Sequence, residues 1–130
     1  MRDRGWWLVV ALCGALMVMA GAFGAHALNG TLSARLMVVY ETAVRYQAWH
    51  TLAMLGVLAW RASQPLSGQR LTLSLWLAGT GLFSGSLYAL ALTGVKVLGA
   101  ITPLGGGLLI GGWLALAATA WRHQSASGNT

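Results

Sequence analysis

The sequence predicts an all-α integral membrane protein, an antiparallel four-helix transmembrane bundle. Three observations point there. Hydrophobic residues make up 57% of the chain and charged residues 8%, whereas a soluble domain carries about a quarter charged. The apolar residues fall into four runs, and a helix needs roughly 20 such residues to cross the hydrocarbon core. The basic residues stand mostly at the ends of those runs, as membrane-topology signals do. So little charge cannot cover a water-facing surface, and lipid is the expected solvent.

With 130 residues the chain reads as one domain: a four-span membrane domain over 1–123 and a flexible tail over 124–130. The first helix is expected at about 5–28, where His26 is the only ionisable residue. Its start imitates a secretory signal, with Arg2 and Arg4 before an apolar core and Ala25-His26-Ala27 as a cleavage-like site. Retention is expected instead. The run is 24 residues long, and its pairs Ala20/Gly24 and Gly21/Ala25 let another helix approach closely. Asn29-Gly30 signals a turn. Thr31 or Ser33 then caps a second helix, at about 32–60. Arg61 to Arg70 reads as a short polar loop before a third helix at about 71–92. Thr93-Gly94-Val95-Lys96 is a tight connection, and Thr102-Pro103 reads as N-cap and first residue of a fourth helix at about 102–121.

The segment Glu41 to His50 holds the only acidic residue after Asp3. On a helix Glu41 and Arg45 share a face and can pair at the membrane edge; Tyr46 and His50 share another. Only 15 residues separate Arg45 from Arg61, about 22 Å of helix against a core of roughly 30 Å. The span therefore begins before Arg45. Gln47 and His50 lie inside the apolar slab, where polar side chains turn toward other helices.

Four spans place both termini on one side. That side holds Arg2, Arg4, Arg61, Arg70 and Arg122, and the other holds Arg35, Arg45 and Lys96. The imbalance predicts cytoplasmic termini. Trp6, Trp7, Trp60 and Trp121 fall at the same edge, where an aromatic belt would lie. The net charge of +6 does not indicate a nucleic-acid partner, because the basic residues do not cluster. A lone Cys13 forms no internal disulfide and has no partners for a metal site.

At this depth His26, Tyr46, Gln47, His50, Ser84, Ser86 and Tyr88 gather in the outer half of the bundle. They are read first as interhelical hydrogen bonds, each worth about 0.6 kcal/mol. The alternative is a polar pocket for a small ligand or a proton path. His26 and His50 on facing helices would make a haem or metal pair, but no third ligand or Cys-x-x-Cys-His motif accompanies them. No metal and no cofactor is expected. Gly21, Gly24, Gly81, Gly85, Gly107 and Gly111 are the expected helix-packing positions. Trp49 and Trp76 read as packing residues. No nucleophile–base–orienter set can be assembled, and phosphate-binding and dinucleotide fingerprints are absent. Hence no catalytic residue is assigned and no enzyme is expected.

Four motifs stand in order: Gly21-Ala22-Phe23-Gly24-Ala25-His26-Ala27-Leu28, Tyr46-Gln47-Ala48-Trp49-His50-Thr51-Leu52-Ala53, Leu82-Phe83-Ser84-Gly85-Ser86-Leu87-Tyr88 and Thr102-Pro103-Leu104-Gly105-Gly106. Together they resemble the YgdD-like family of small bacterial inner-membrane proteins, a domain-of-unknown-function family, over about Ala20 to Trp113. The resemblance implies a multi-pass protein of the inner (plasma) membrane and no particular reaction. It also implies that the motif residues form a set; Glu41 and Arg45 lie outside it. The expected role is that of a structural or interaction protein packing through Gly-rich helix faces, with a larger membrane complex or a homo-oligomer as partner. A small carrier or ligand-binding protein is the alternative.

Overall fold

The computed structural model describes residues 3–128; Arg2, counted above for topology, and the last two tail residues lie outside them. Four helices run up and down: α1 (Arg4–Phe23), α2 (Ala34–Ser63), α3 (Ser67–Thr93) and α4 (Thr102–Ser127). A π turn, Gly24–Leu28, extends α1, and a 3-10 turn, Lys96–Ala100, precedes α4. Packing follows chain order, α1 on α2, α2 on α3 and α3 on α4. No strand occurs among the described residues.

The exterior is apolar. Leu8, Leu12, Leu16, Val18 and Met19 of α1 are all exposed, and Val10 is the one buried residue of that helix. In water such a surface would drive aggregation; in a bilayer it is the solvated surface. Helices α1, α3 and α4 are long and apolar enough to cross a membrane. Helix α2 falls short in composition only: it carries the buried Gln47, His50, Thr51 and Arg61 on its inward face and the exposed Arg35, Glu41 and Arg45. The chain is thus an integral membrane protein with a polar seam inside.

Ser33 caps α2, accepting from Leu36 N at 3.2 Å, while Thr31 instead bonds Ala27 O. Gly30 and Gly94 take positive φ, 85° and 73°, where the chain reverses between spans. Helix α4 begins one residue earlier than expected, capped at Ile101, because the Thr102 hydroxyl is engaged by Ser86 at 2.7 Å. Its far end runs on to Ser127. There His123 packs edge-on against Trp60 of α2, with ring centroids 6.3 Å apart.

The expected polar loop shrinks to Gln64-Pro65-Leu66 because its side chains turn inward. Arg61, 6% exposed, bonds Leu66 O through Nη1 at 3.0 Å. Gln69 accepts from Leu66 N at 2.8 Å and donates to Gln64 O at 3.0 Å. Arg61 Nε also reaches Asp3 Oδ2 at 2.8 Å, and Arg70 reaches Asp3 Oδ1 at 3.2 Å. This clasp ties the start of α1 to the α2–α3 turn. Glu41 and Arg45, by contrast, close no ion pair; both are exposed beside a cavity of about 310 Å³ against the α1 end.

The tight helix contacts use other glycines than Gly81, Gly85, Gly107 and Gly111. A Cβ at Gly79 would stand 2.9 Å from Leu109 N, one at Gly105 would enter the Phe83 backbone, and one at Gly112 would enter the Trp76 ring. Gly105 and Gly112 are a heptad apart, the spacing of left-handed packing at shallow crossing angles rather than of the right-handed Gly-x-x-x-Gly dimer. Gly81, Gly85 and Gly107 lie off this interface, where a Cβ would meet nothing within 4 Å. Gly111 makes an ordinary contact with Leu75 and Gly21 one with Val44, while Gly24 lies tightly under Tyr40.

Two outcomes follow. Gly105→Ala should destabilise the bundle by about 1–3 kcal/mol, because backbone cannot yield as a side chain can; Gly81→Ala should leave it unchanged. Unfolding in mixed detergent micelles measures both. The second concerns Asp3. Desolvation pushes its carboxyl up, but hydrogen bonds from Arg61 and Arg70, with their charge, outweigh this and hold it below the usual carboxylate range. The folded state therefore binds fewer protons than the unfolded one in acid, and the clasp's stabilisation is complete above about pH 4. It is lost as pH falls through the lowered value. The wild type should be more heat-stable than Asp3→Asn near neutrality and converge with it in strong acid; parallel pH profiles would contradict the clasp.

Candidate functional site

The expected cluster divides between the two flanks of α2. On the α1 flank Gln47 Nε2 donates to Cys13 O at 3.1 Å, and Tyr88 Oη donates to Gln47 Oε1 at 2.6 Å. Ser84 Oγ bonds Ala43 O at 2.7 Å, and Tyr40 Oη bonds Ala20 O at 2.5 Å. Tyr40 and Tyr88 meet edge to face with centroids 5.3 Å apart. Each bond runs between helices, and its acceptor is a neighbour's backbone carbonyl or the shared Gln47 amide. Two hydroxyls in the same seam, on Thr51 and Thr80, are buried without a hydrogen-bond partner among the described residues.

On the α4 flank Tyr46 and His50 lie one turn apart, their rings near-parallel with centroids 6.2 Å apart. His50 is 4% exposed. Its Nδ1 lies 2.8 Å from Tyr46 O, and its Nε2 lies 3.1 Å from Trp113 Nε1. A carbonyl only accepts and an indole N–H only donates. The imidazole is therefore the neutral tautomer with hydrogen on Nδ1, and Nε2 is already occupied as an acceptor. Trp76 meets His50 edge-on from α3 and donates its own N–H to Leu109 O at 3.2 Å.

These rings floor a cleft of about 720 Å³ lined by Tyr46, Trp49, His50, Phe83, Gly106 and Trp113 with aliphatic neighbours. Tyr46 packs on Phe83 with centroids 4.5 Å apart and on Trp49 at 5.0 Å. Trp49 and Trp113 form the rims, 51% and 47% exposed. The volume and largely aromatic lining are those of a small-molecule site.

Ser86 joins neither flank; it bridges α3 and α4 through Thr102. His26 is exposed in the π turn, whose buried positions are Gly24 and Leu28. Lying midway between them, it points the other way, so the structure does not bring it to His50. Among the described residues no group of three His, Cys, Asp or Glu could hold a metal ion. The sequence reading passed over Phe83 and Trp113 and the role of Trp49 and Trp76 around His50. The available signal was depth: Trp49, Trp76 and Trp113 sit mid-span, whereas the other four tryptophans lie at the membrane edge.

Residues 20–106 match the family described as "Protein of unknown function (DUF423)". The chain is 49% identical over 108 residues to a UPF0382 membrane protein of Staphylococcus haemolyticus, covering 82% of this chain and 86% of that one. It is 44% identical over 117 residues to a UPF0382 membrane protein of Haemophilus influenzae, covering 90% and 94%. The UPF0382 inner membrane protein YgdD of Escherichia coli is 43% identical over 114 residues, covering 87% and 86%. No solved structure matches the chain. With a four-helix fold, the ordered motifs in place and most of its length aligned to these relatives, the chain belongs to the YgdD-like DUF423 family of membrane proteins.

Proposed function

We propose that this protein is a non-enzymatic structural or interaction component of the bacterial inner membrane, with both termini in the cytoplasm. The observation that carries the reading is an unused small-residue face. Ser74, Ala78, Gly81 and Gly85 follow one another at helical spacing along α3, all exposed, with open space above both glycines. In lipid such a face permits close approach of a neighbouring helix. The inward polar groups support the same reading, since Gln47, Ser84 and Tyr88 are consumed in holding helices together. The inner-membrane placement rests on the Escherichia coli relative's description. The orientation rests on the excess of arginine at the end that bears the termini.

Native extraction followed by mass analysis should find the protein bound to another subunit or to a second copy. Gly85→Leu should release it while leaving helical content unchanged, because a Cβ there meets nothing within 4 Å among the described residues. A lone wild-type monomer defeats the proposal. A C-terminal reporter fusion that is active only in the cytoplasm is expected; activity on the other side reverses the topology.

A second reading is favoured by the cleft beside His50. There the chain acts as a small ligand-binding or carrier protein.

A further inference from the structure

The cleft's hydrogen-bonding groups are unevenly used. His50 is satisfied at both nitrogens, by Tyr46 O and by Trp113 Nε1. Tyr46 Oη and Trp49 Nε1 have no hydrogen-bond partner among the described residues. Both line the cleft. Elsewhere an unpaired indole at a membrane edge finds water or a headgroup. Trp49 lies about 18 Å along α2 from Arg61 and one turn, about 6 Å, from the exposed Arg45. Against the cleft's apolar lining an unpaired donor is costly. The indole N–H is a donor only, so what completes the site must accept.

The rest of the lining narrows the occupant. Among the described residues no charged side chain borders the cleft, which favours a neutral ligand. Its walls are the rings of Tyr46, Trp49, Phe83 and Trp113, which favour a flat partner at stacking or edge-on distance. Both rims are exposed on the lipid-facing surface, so entry is from the bilayer. We propose that this cleft binds a neutral, lipid-soluble planar ring carrying carbonyl acceptors, a quinone-type headgroup, with Tyr46 Oη–H and Trp49 Nε1–H donating to its oxygens. The proposal rests on the ligand-binding reading above and names its ligand class.

The test uses the full chain in phosphatidylcholine nanodiscs and a photoreactive azido-1,4-benzoquinone with a decyl tail, its adducts mapped by peptide mass. Label should fall on the peptides of α2 and α4 that border the cleft, and unlabelled decyl-benzoquinone should compete. Tyr46→Phe and Trp49→Phe should each weaken competition roughly two- to tenfold, the worth of one hydrogen bond. Neither loses a hydrogen bond within the fold. Gly106→Leu should abolish labelling by filling the cleft; a Cβ there meets only the Phe83 ring, at 3.8 Å, and unchanged helical content by circular dichroism is the control that the variant folds. If decylbenzene, without carbonyls, competes equally, or if phospholipid alone holds the cleft, the ligand class is overturned while the ligand reading stands. If label spreads over the lipid-facing residues of α1 and ignores Gly106→Leu, both fall.

Discussion

An apolar helix in hydrocarbon gains nothing from exchanging lipid tails for a neighbour of the same polarity, so something other than hydrophobicity must select its partners. Here the selecting interaction is a hydrogen bond from a side chain to the backbone carbonyl of the next helix. Gln47 reaches Cys13 O and Tyr40 reaches Ala20 O across α1 and α2. Ser84 reaches Ala43 O across α2 and α3, and Trp76 reaches Leu109 O across α3 and α4. Each interface has its own. A carbonyl has two lone pairs, so the acceptor keeps its bond within the helix while taking the second. Glycines at Gly79, Gly105 and Gly112 then bring α3 and α4 close enough for Trp76 to reach.

The same helix presents two chemically different flanks. Toward α1, the hydrogen bonds of Gln47 form a closed chain with Tyr88 and Cys13. Toward α4, Tyr46 and Trp49 are held by ring contacts while their donors stay unspent. The first arrangement resists motion because every group it holds would be stranded in lipid by separation. The second is bounded by exposed rings, whose movement breaks few polar contacts. Rigidity on one flank and accessibility on the other are what a scaffold and a binding cleft respectively require.

Much of this was legible in the residues. The number of helices, the turns at Asn29-Gly30 and Thr93-Gly94, and the inward aim of Gln47 and His50 follow from apolar runs and the cost of polar groups in lipid. Pairing was harder. Gly81 and Gly85 carry the familiar dimer spacing, yet the α3–α4 contact uses Gly79 with Gly105 and Gly112, because helix rotation is set by the whole interface. The clasp from Asp3 to Arg61 joins residues far apart in sequence, and no periodicity announces it. His26 was misplaced for a local reason: it sits midway between Gly24 and Leu28, the positions that turn inward, and so faces away from the bundle.

Helix α2 is the least hydrophobic of the four, which bears on how the protein is made. A ribosome delivers α1 first, so the carbonyls of Cys13 and Ala20 are already in the membrane when Gln47 and Tyr40 emerge. The Ala43 carbonyl then waits for the Ser84 hydroxyl, one helix later. In order of synthesis, each helix after the first thus has at least one hydrogen-bonding partner on the helix before it, the least hydrophobic one included.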